Sequence, residues 1–179
     1  MEQVILVNEQ DQMIGLEEKQ KAHQFGLLHR AFSIFLFAPS PNPPPQGARA
    51  PLAVLMQQRH PQKYHCGGLW TNACCSHPRE HESITEAANR RLFEELGIQT
   101  ELKEVGHFIY RAELSNGLIE HEFDHVFVGQ YDGEISGFNQ DEISEVKWMD
   151  IHSLKQDMKD HPQKYTPWLM QALEIATGN

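Results

Sequence analysis

Residues 39–51 read PSPNPPPQGARAP. Each proline fixes φ near −65° and brings no backbone N–H, so this stretch cannot pair inside a sheet. Its two neighbours want to do just that. AFSIFLFA (31–38) and LAVLMQ (52–57) are short apolar runs with the look of strands. The prolines therefore force a topology: two strands joined by a long connection that lies outside the core. We read 39–51 as a loop insert and not a domain boundary, which leaves one domain over residues 1–179.

The rest of the chain supplies the partners for those strands. ESITEAANRRLFEEL (82–96) places Ile84, Ala88, Leu92 and Leu96 at steps of four, one helical face, and Gly97 is a natural stop. Strands are expected at 104–113, 119–131 and 146–150, and a closing helix from about Pro167 to Ala176. Strands with a few helices and no regular βαβ alternation predict an α+β domain, a mixed sheet flanked by helices.

With 15 basic and 25 acidic residues the formal charge is −10. Phosphate backbones demand a basic surface, so nucleic acid is not an expected partner. An anionic small molecule would need a local cluster of cations or metal ions. No apolar run reaches the length of a membrane span, and Val4–Val7 is too short for a secretory signal. Three cysteines at these spacings make no disulfide framework, which points to a reducing cytoplasm.

Two stretches concentrate chemistry. In IEHEFDHVFV (119–128), strand alternation puts Glu120, Glu122 and Asp124 on one face and His121, Phe123 and His125 on the other. Carboxylates so spaced repel unless a cation lies between them or one keeps its proton. The face is either a solvated edge or a metal ligand beside a proton carrier. In WTNACCSHP (70–78), an extended backbone sets Cys75 and His77 on one face, Cys74 and Ser76 on the other. Cys74 then reads as packing, since buried free cysteine behaves as a small hydrophobe. Eleven histidines, His23, His29, His60 and His65 among them, matter only if several converge.

The helix resembles the Nudix box, G-x5-E-x7-R-E-U-x-E-E-x-G-U, through Glu82, Arg90, Glu94, Glu95 and Gly97. Ser76 stands at the box's glycine and Arg91 at the glutamate that serves hydrolases as a magnesium ligand. K-x3-H at 19–23, LHRAFS at 28–33, WTNACCSHP, YRA at 110–112, EHE at 120–122 and PW at 167–168 occur in the order of the type 1 isopentenyl-diphosphate isomerases. The chain is similar to that family from about Lys19 to Trp168.

The resemblance implies a Nudix-type fold with an N-terminal extension carrying metal ligands. It implies isomerisation of isopentenyl to dimethylallyl diphosphate for isoprenoid biosynthesis, through a carbocation-like intermediate. The residues it implies at the metal are His23, His29, His77, Glu120 and Glu122, holding Mn²⁺, Mg²⁺ or Zn²⁺. Cys75, Glu122, Tyr110 and Trp168 match the catalytic set. Lys19, Arg59, Lys63 and Arg91 match the diphosphate-binding cations, and Glu95 a ligand of a second Mg²⁺ that arrives with the diphosphate. Its partner is the small isoprenoid diphosphate alone, with no membrane, and a monomer is favoured. Competing readings are a Nudix hydrolase of a nucleoside diphosphate derivative, which Arg91 disfavours, and a non-catalytic metal or redox module built on Cys74–Cys75. Adjacent cysteines seldom bridge, because disulfide geometry prefers wider Cα separations.

Overall fold

The computed structural model describes residues 2–39, 52–135 and 137–178, so the proline-rich insert, apart from Pro39, lies outside the described residues. In chain order the elements are β1 (Gln3–Val7), β2 (Met13–Glu18), α1 (Lys19–Phe25), β3 (His29–Pro39) and β4 (Leu52–Arg59). They continue with β5 (Trp70–Asn72), β6 (Cys74–Ser76), α2 (Ile84–Leu96), β7 (Lys103–Glu113) and β8 (Ile119–Gln130). β9 (Ile143–Asp150), α3 (Ile151–Asp160), a 3₁₀ turn (Pro162–Lys164) and α4 (Leu169–Thr177) complete the chain.

β3 is the hub. Along one edge it runs parallel to β8, from His29 opposite Glu122 to Phe37 opposite Gln130. Its other edge is shared in turn by β1 at His29, β6 at Phe32, Ser33 and Ile34, and β4 from Phe37 to Pro39. β7 lies antiparallel on the far side of β8, while β9 and β5 flank β4. One parallel pair among antiparallel ones makes the sheet mixed.

Strand parity divides the core in two. Phe32, Ile34, Leu36, Leu55, Phe127 and Cys74 meet Ala87, Ala88, Leu92 and Leu96 of α2. Phe35, Phe37, Val54, Met56, Phe108 and Val126 meet Leu154 of α3 and Leu169 and Leu173 of α4. Helices thus cover both faces. α2 starts at a capping box, Ser83 with Glu86, and ends where Gly97 takes φ 66° and donates its N–H to Phe93 O. Glu86 serves the cap, and Arg90 pairs with Glu82 at 2.6 and 2.8 Å and with Glu94 at 3.2 Å.

β8 is an interior strand between β3 and β7, and Glu120, Glu122 and Asp124 are only 1 %, 9 % and 1 % exposed. The solvated-edge alternative for this acidic face is therefore wrong. β1, β2, α1 and α3 were not expected. α1 is seven residues long and buries only Ala22 and His23, too short for a helical period to show.

Candidate active site

Register brings the chemistry together. Glu122 sits opposite His29 on β3 and opposite Tyr110 on β7, while Ser33 sits opposite Cys75 on β6. Side chains at paired positions share a face, so His29, Ser33, Cys75, Tyr110, Glu122 and Asp124 all project from one side of the sheet. There a cavity of about 290 Å³ opens, lined among others by Cys75, His77, Glu120, Glu122 and Trp168 and by Lys19, Arg59, Lys63 and Arg91.

Imidazoles and carboxylates crowd its floor. One ligand atom from each of His23, His29, His77 and Glu122 lies within 4.8 Å of the others; His23, His65 and Glu120 form a second such group. Glu120 thus converges with His23 and His65, not with all four of the other expected ligands. The tautomers are set from behind. His23 Nδ1 donates to Lys19 O at 2.7 Å and His29 Nδ1 to Leu27 O at 2.8 Å. Each ring then turns its Nε2 inward, at 3.4 Å from Glu120 Oε2 and 3.6 Å from Glu122 Oε1 respectively. A buried carboxylate facing a ring nitrogen at such a distance is satisfied by a cation shared between the two. Both Glu120 oxygens and His29 Nε2 are buried without a hydrogen-bond partner, and mixed nitrogen and oxygen donors suit a divalent ion. These residues fit a metal, with no preference among Mn²⁺, Mg²⁺ and Zn²⁺.

Charge follows the same geometry. Burial pushes the Glu122 carboxyl up, but the His29 and His77 imidazoles outweigh it and hold the group well below the ordinary carboxylate range. Burial and Glu122 likewise raise Glu120, yet His23 and His65 leave it lowered. Burial drops His77 to about 4, so it stays neutral. Asp124 is the exception: burial and the Glu122 charge raise it well above normal, and it accepts a 2.7 Å hydrogen bond from Ser33 Oγ. Tyr110 donates its hydroxyl proton to Glu122 Oε2 at 2.6 Å.

The two cysteines part company. Cys74 is fully buried in the α2 half of the core. Cys75 faces the cavity, donates its S–H to Asn72 Oδ1 at 3.0 Å, and accepts from Trp168 Nε1–H at 3.3 Å. Burial and Asp124 push its thiol up to about 12. Trp168, just ahead of α4, has the Arg59 guanidinium 5.8 Å from its ring centre and Tyr110 at 5.9 Å.

The expected cations line the cavity but are already engaged. Lys19 pairs with Glu2 at 3.2 Å, Lys63 with Glu142, and Arg91 with Glu94, Glu95 and Glu142 at 2.9, 2.5 and 3.3 Å. Among the described residues Arg59 pairs with no carboxylate; its Nη2 donates to His65 O at 3.3 Å. Glu95 does not line the cavity. It is buried, with one oxygen held by Arg91 and the other by Gln57 Nε2 at 3.2 Å.

Residues that the sequence left without a role also sit here: His65, whose Nδ1 is 3.0 Å from Glu120 Oε1, and Glu142, bridging Lys63 and Arg91. His65 had a weak signal in the histidine count. Glu142 had none, since only folding brings it to the cavity.

The NUDIX domain family matches residues 27–169. Isopentenyl-diphosphate Delta-isomerase 2 of Aromatoleum aromaticum is 46 % identical over 173 residues, covering 97 % of this chain and 85 % of that protein. Isopentenyl-diphosphate Delta-isomerase of Serratia proteamaculans is 45 % identical over 178 residues, covering 99 % and 93 %. Among solved structures, DR0079 from Deinococcus radiodurans superposes with a TM-score of 0.67 at 20 % identity, covering 89 % of this chain and 90 % of that one, a likeness of fold.

Proposed function

The chain belongs to the NUDIX family and, within it, to the isopentenyl-diphosphate Delta-isomerases, and on that premise we propose that it converts isopentenyl diphosphate into dimethylallyl diphosphate. A proton is added to the terminal methylene carbon, positive charge develops at the tertiary carbon, and a proton leaves the adjacent carbon on the diphosphate side. One proton enters and one departs, so the reaction needs two carriers.

One observation carries this reading. Cys75 on β6 and Glu122 on β8 flank β3 from opposite edges while facing the same cavity. Tyr110, hydrogen-bonded to Glu122, assists the transfer at that carboxylate. Trp168 brings aromatic surface to the cavity, and an indole face opposite a desolvated cation is worth roughly 2 kcal/mol. Burial of these side chains keeps out water that would capture the cation. His23, His29, His77 and Glu122, with Glu120 reaching them through the shared His23, would hold a divalent ion, which would supply positive charge beside the buried carboxylates and bias the proton affinity of Glu122.

Lys19, Arg59, Lys63 and Arg91 bind the diphosphate, which displaces Glu2 and Glu142 from their ion pairs. Were Arg91 to turn to the diphosphate, the Glu95 oxygen it holds would be open to the Mg²⁺ that accompanies the diphosphate. Three unpaired cysteines suit a reducing compartment, the cytoplasm. The test is NMR of the protein with isopentenyl diphosphate and Mg²⁺ in D₂O. Deuterated dimethylallyl diphosphate is the expected product; phosphate release without it would refute the reading in favour of a hydrolase.

A further inference from the structure

Asn72 lies outside the machinery just described, yet it is fully buried and every polar atom of its side chain is committed. Its Nδ2 donates one proton to Ile34 O at 3.1 Å and the other to Cys74 O at 2.9 Å. Those carbonyls belong to two residues paired across β3 and β6, so the amide is bolted to the sheet. Turning it over would set Oδ1 against two carbonyl oxygens and forfeit both hydrogen bonds at a fully buried position. Oδ1 is thus fixed as an acceptor, and its donors are Thr71 Oγ1–H at 3.0 Å and the Cys75 S–H at 3.0 Å.

The bracket extends further. Thr166 Oγ1 donates to Thr71 Oγ1 at 3.0 Å, and two residues beyond Thr166 the Trp168 indole N–H reaches the same sulfur at 3.3 Å. Cys75 Sγ is consequently held between Asn72 Oδ1, an acceptor that cannot become a donor, and Trp168 Nε1–H, a donor that cannot become an acceptor, with the adjustable hydroxyls of Ser33 and Thr71 farther off at 3.5 and 3.8 Å. Loss of Asn72 leaves the S–H rotor without its fixed partner, although the diphosphate contacts stay in place.

We infer that Asn72 is a positioning residue for Cys75, fixing the sulfur and the direction of its proton relative to the substrate. The assignment rests on the reading of Cys75 as a proton carrier. It touches neither the diphosphate cations nor the metal-binding side chains, so its effect falls on kcat and leaves KM and divalent-ion affinity alone. Misplacing a reacting group by about 1 Å costs on the order of 100-fold, which sets the scale.

The experiment compares Asn72→Ala, Asn72→Ser and Thr71→Val in the full chain, alone and in a Cys75→Ala background. Turnover of isopentenyl diphosphate, Mn²⁺ affinity and Tm are measured for each. Asn72→Ala should lose roughly 10- to 100-fold in kcat with KM and Mn²⁺ affinity within about threefold. Thr71→Val removes one donor to Asn72 Oδ1 but leaves both Nδ2 hydrogen bonds and the acceptor for the Cys75 S–H, so it should lose less kcat than Asn72→Ala. In the Cys75→Ala background Asn72→Ala should cost nothing further, because two residues acting through one step are not additive. Retained kcat in folded Asn72→Ala would overturn the assignment, as would an equal loss in the Cys75→Ala background. If neither Asn72 variant folds, Asn72 is a bracket of the fold alone and the assignment falls. Normal turnover by Cys75→Ala would instead refute the reading beneath it, and is visible without touching Asn72.

Discussion

Truncating each of the adjacent cysteines to alanine should separate stability from chemistry. Cys74 is 0 % exposed and packs with Phe32, Leu55, Ala87, Ala88 and Leu92. Cys74→Ala removes a single atom, a little more than a methylene, from a core that relaxes only in part; about 1–1.5 kcal/mol is the expected loss. For a domain of this size each kcal/mol moves Tm by roughly 2–4 °C, so a fall of about 2–6 °C is predicted with kcat unchanged. Cys75 points the other way, into the cavity, between Asn72 and Trp168. Cys75→Ala deletes a proton carrier, a loss of about 10²–10⁴ in kcat, or roughly 3–5 kcal/mol in the barrier. KM should hold, because Lys19, Arg59, Lys63 and Arg91 are untouched. Calorimetry and NMR turnover on the two variants decide the matter. A folded Cys74→Ala that is inactive at unchanged Tm, beside a competent Cys75→Ala, would refute the reasoning from strand parity.

Other outcomes follow from the same geometry. Arg91→Gln should raise KM for isopentenyl diphosphate by at least about tenfold, the scale of one lost charge-assisted contact; an unchanged KM would leave Arg91 a structural partner of Glu95 and Glu142 only. Trp168→Phe loses the N–H donated to Cys75 but keeps a π face, so it should turn over faster than Trp168→Leu; equal kcat values would make the indole mere packing. His65→Leu should weaken Mn²⁺ binding to the chelator-treated protein roughly 10- to 100-fold, the usual cost of removing a group that orients a metal-binding carboxylate; titration with Mn²⁺ followed by EPR measures it. Burial holds folded His77 near 4 against 6.5 unfolded, so between those values the unfolded chain binds a proton that the folded one does not. Stability of the chelator-treated protein should therefore fall as pH drops from 6.5 toward about 4, by up to roughly 1.4 kcal/mol per unit from this group, and urea midpoints of His77→Leu should show a shallower slope.

What could be read from the sequence was what depends on near neighbours. Alternation along 119–128 puts Glu120, Glu122 and Asp124 on a common face, and the same rule separates Cys74 from Cys75, because strand parity needs nothing beyond the backbone of the strand itself. The step-of-four pattern from Ile84 to Leu96 is local in the same way, and the helix occupies nearly that span. Long-range pairing was not legible. Nothing near residue 65 or residue 142 in sequence indicates that the first meets Glu120 and the second Lys63 and Arg91. The register of β3 against β8 and β6 creates the face on which such residues meet.

That division explains a feature that would otherwise count against the fold. Three acidic side chains, Glu120, Glu122 and Asp124, are buried side by side on one strand of an acidic protein, an arrangement that burial and mutual repulsion both oppose. They find two answers: Glu120 and Glu122 face imidazoles whose Nε2 atoms are aimed by main-chain carbonyls, and Asp124 is pushed toward its protonated form beside Ser33. The cost is carried by apolar packing on the opposite face, where α2 covers Phe32, Ile34, Leu36 and Phe127. A sheet packed by helices on both faces can keep buried charge at one end of one of them. Cys74 and Cys75 mark the boundary, since consecutive residues of one strand must point to opposite sides of it.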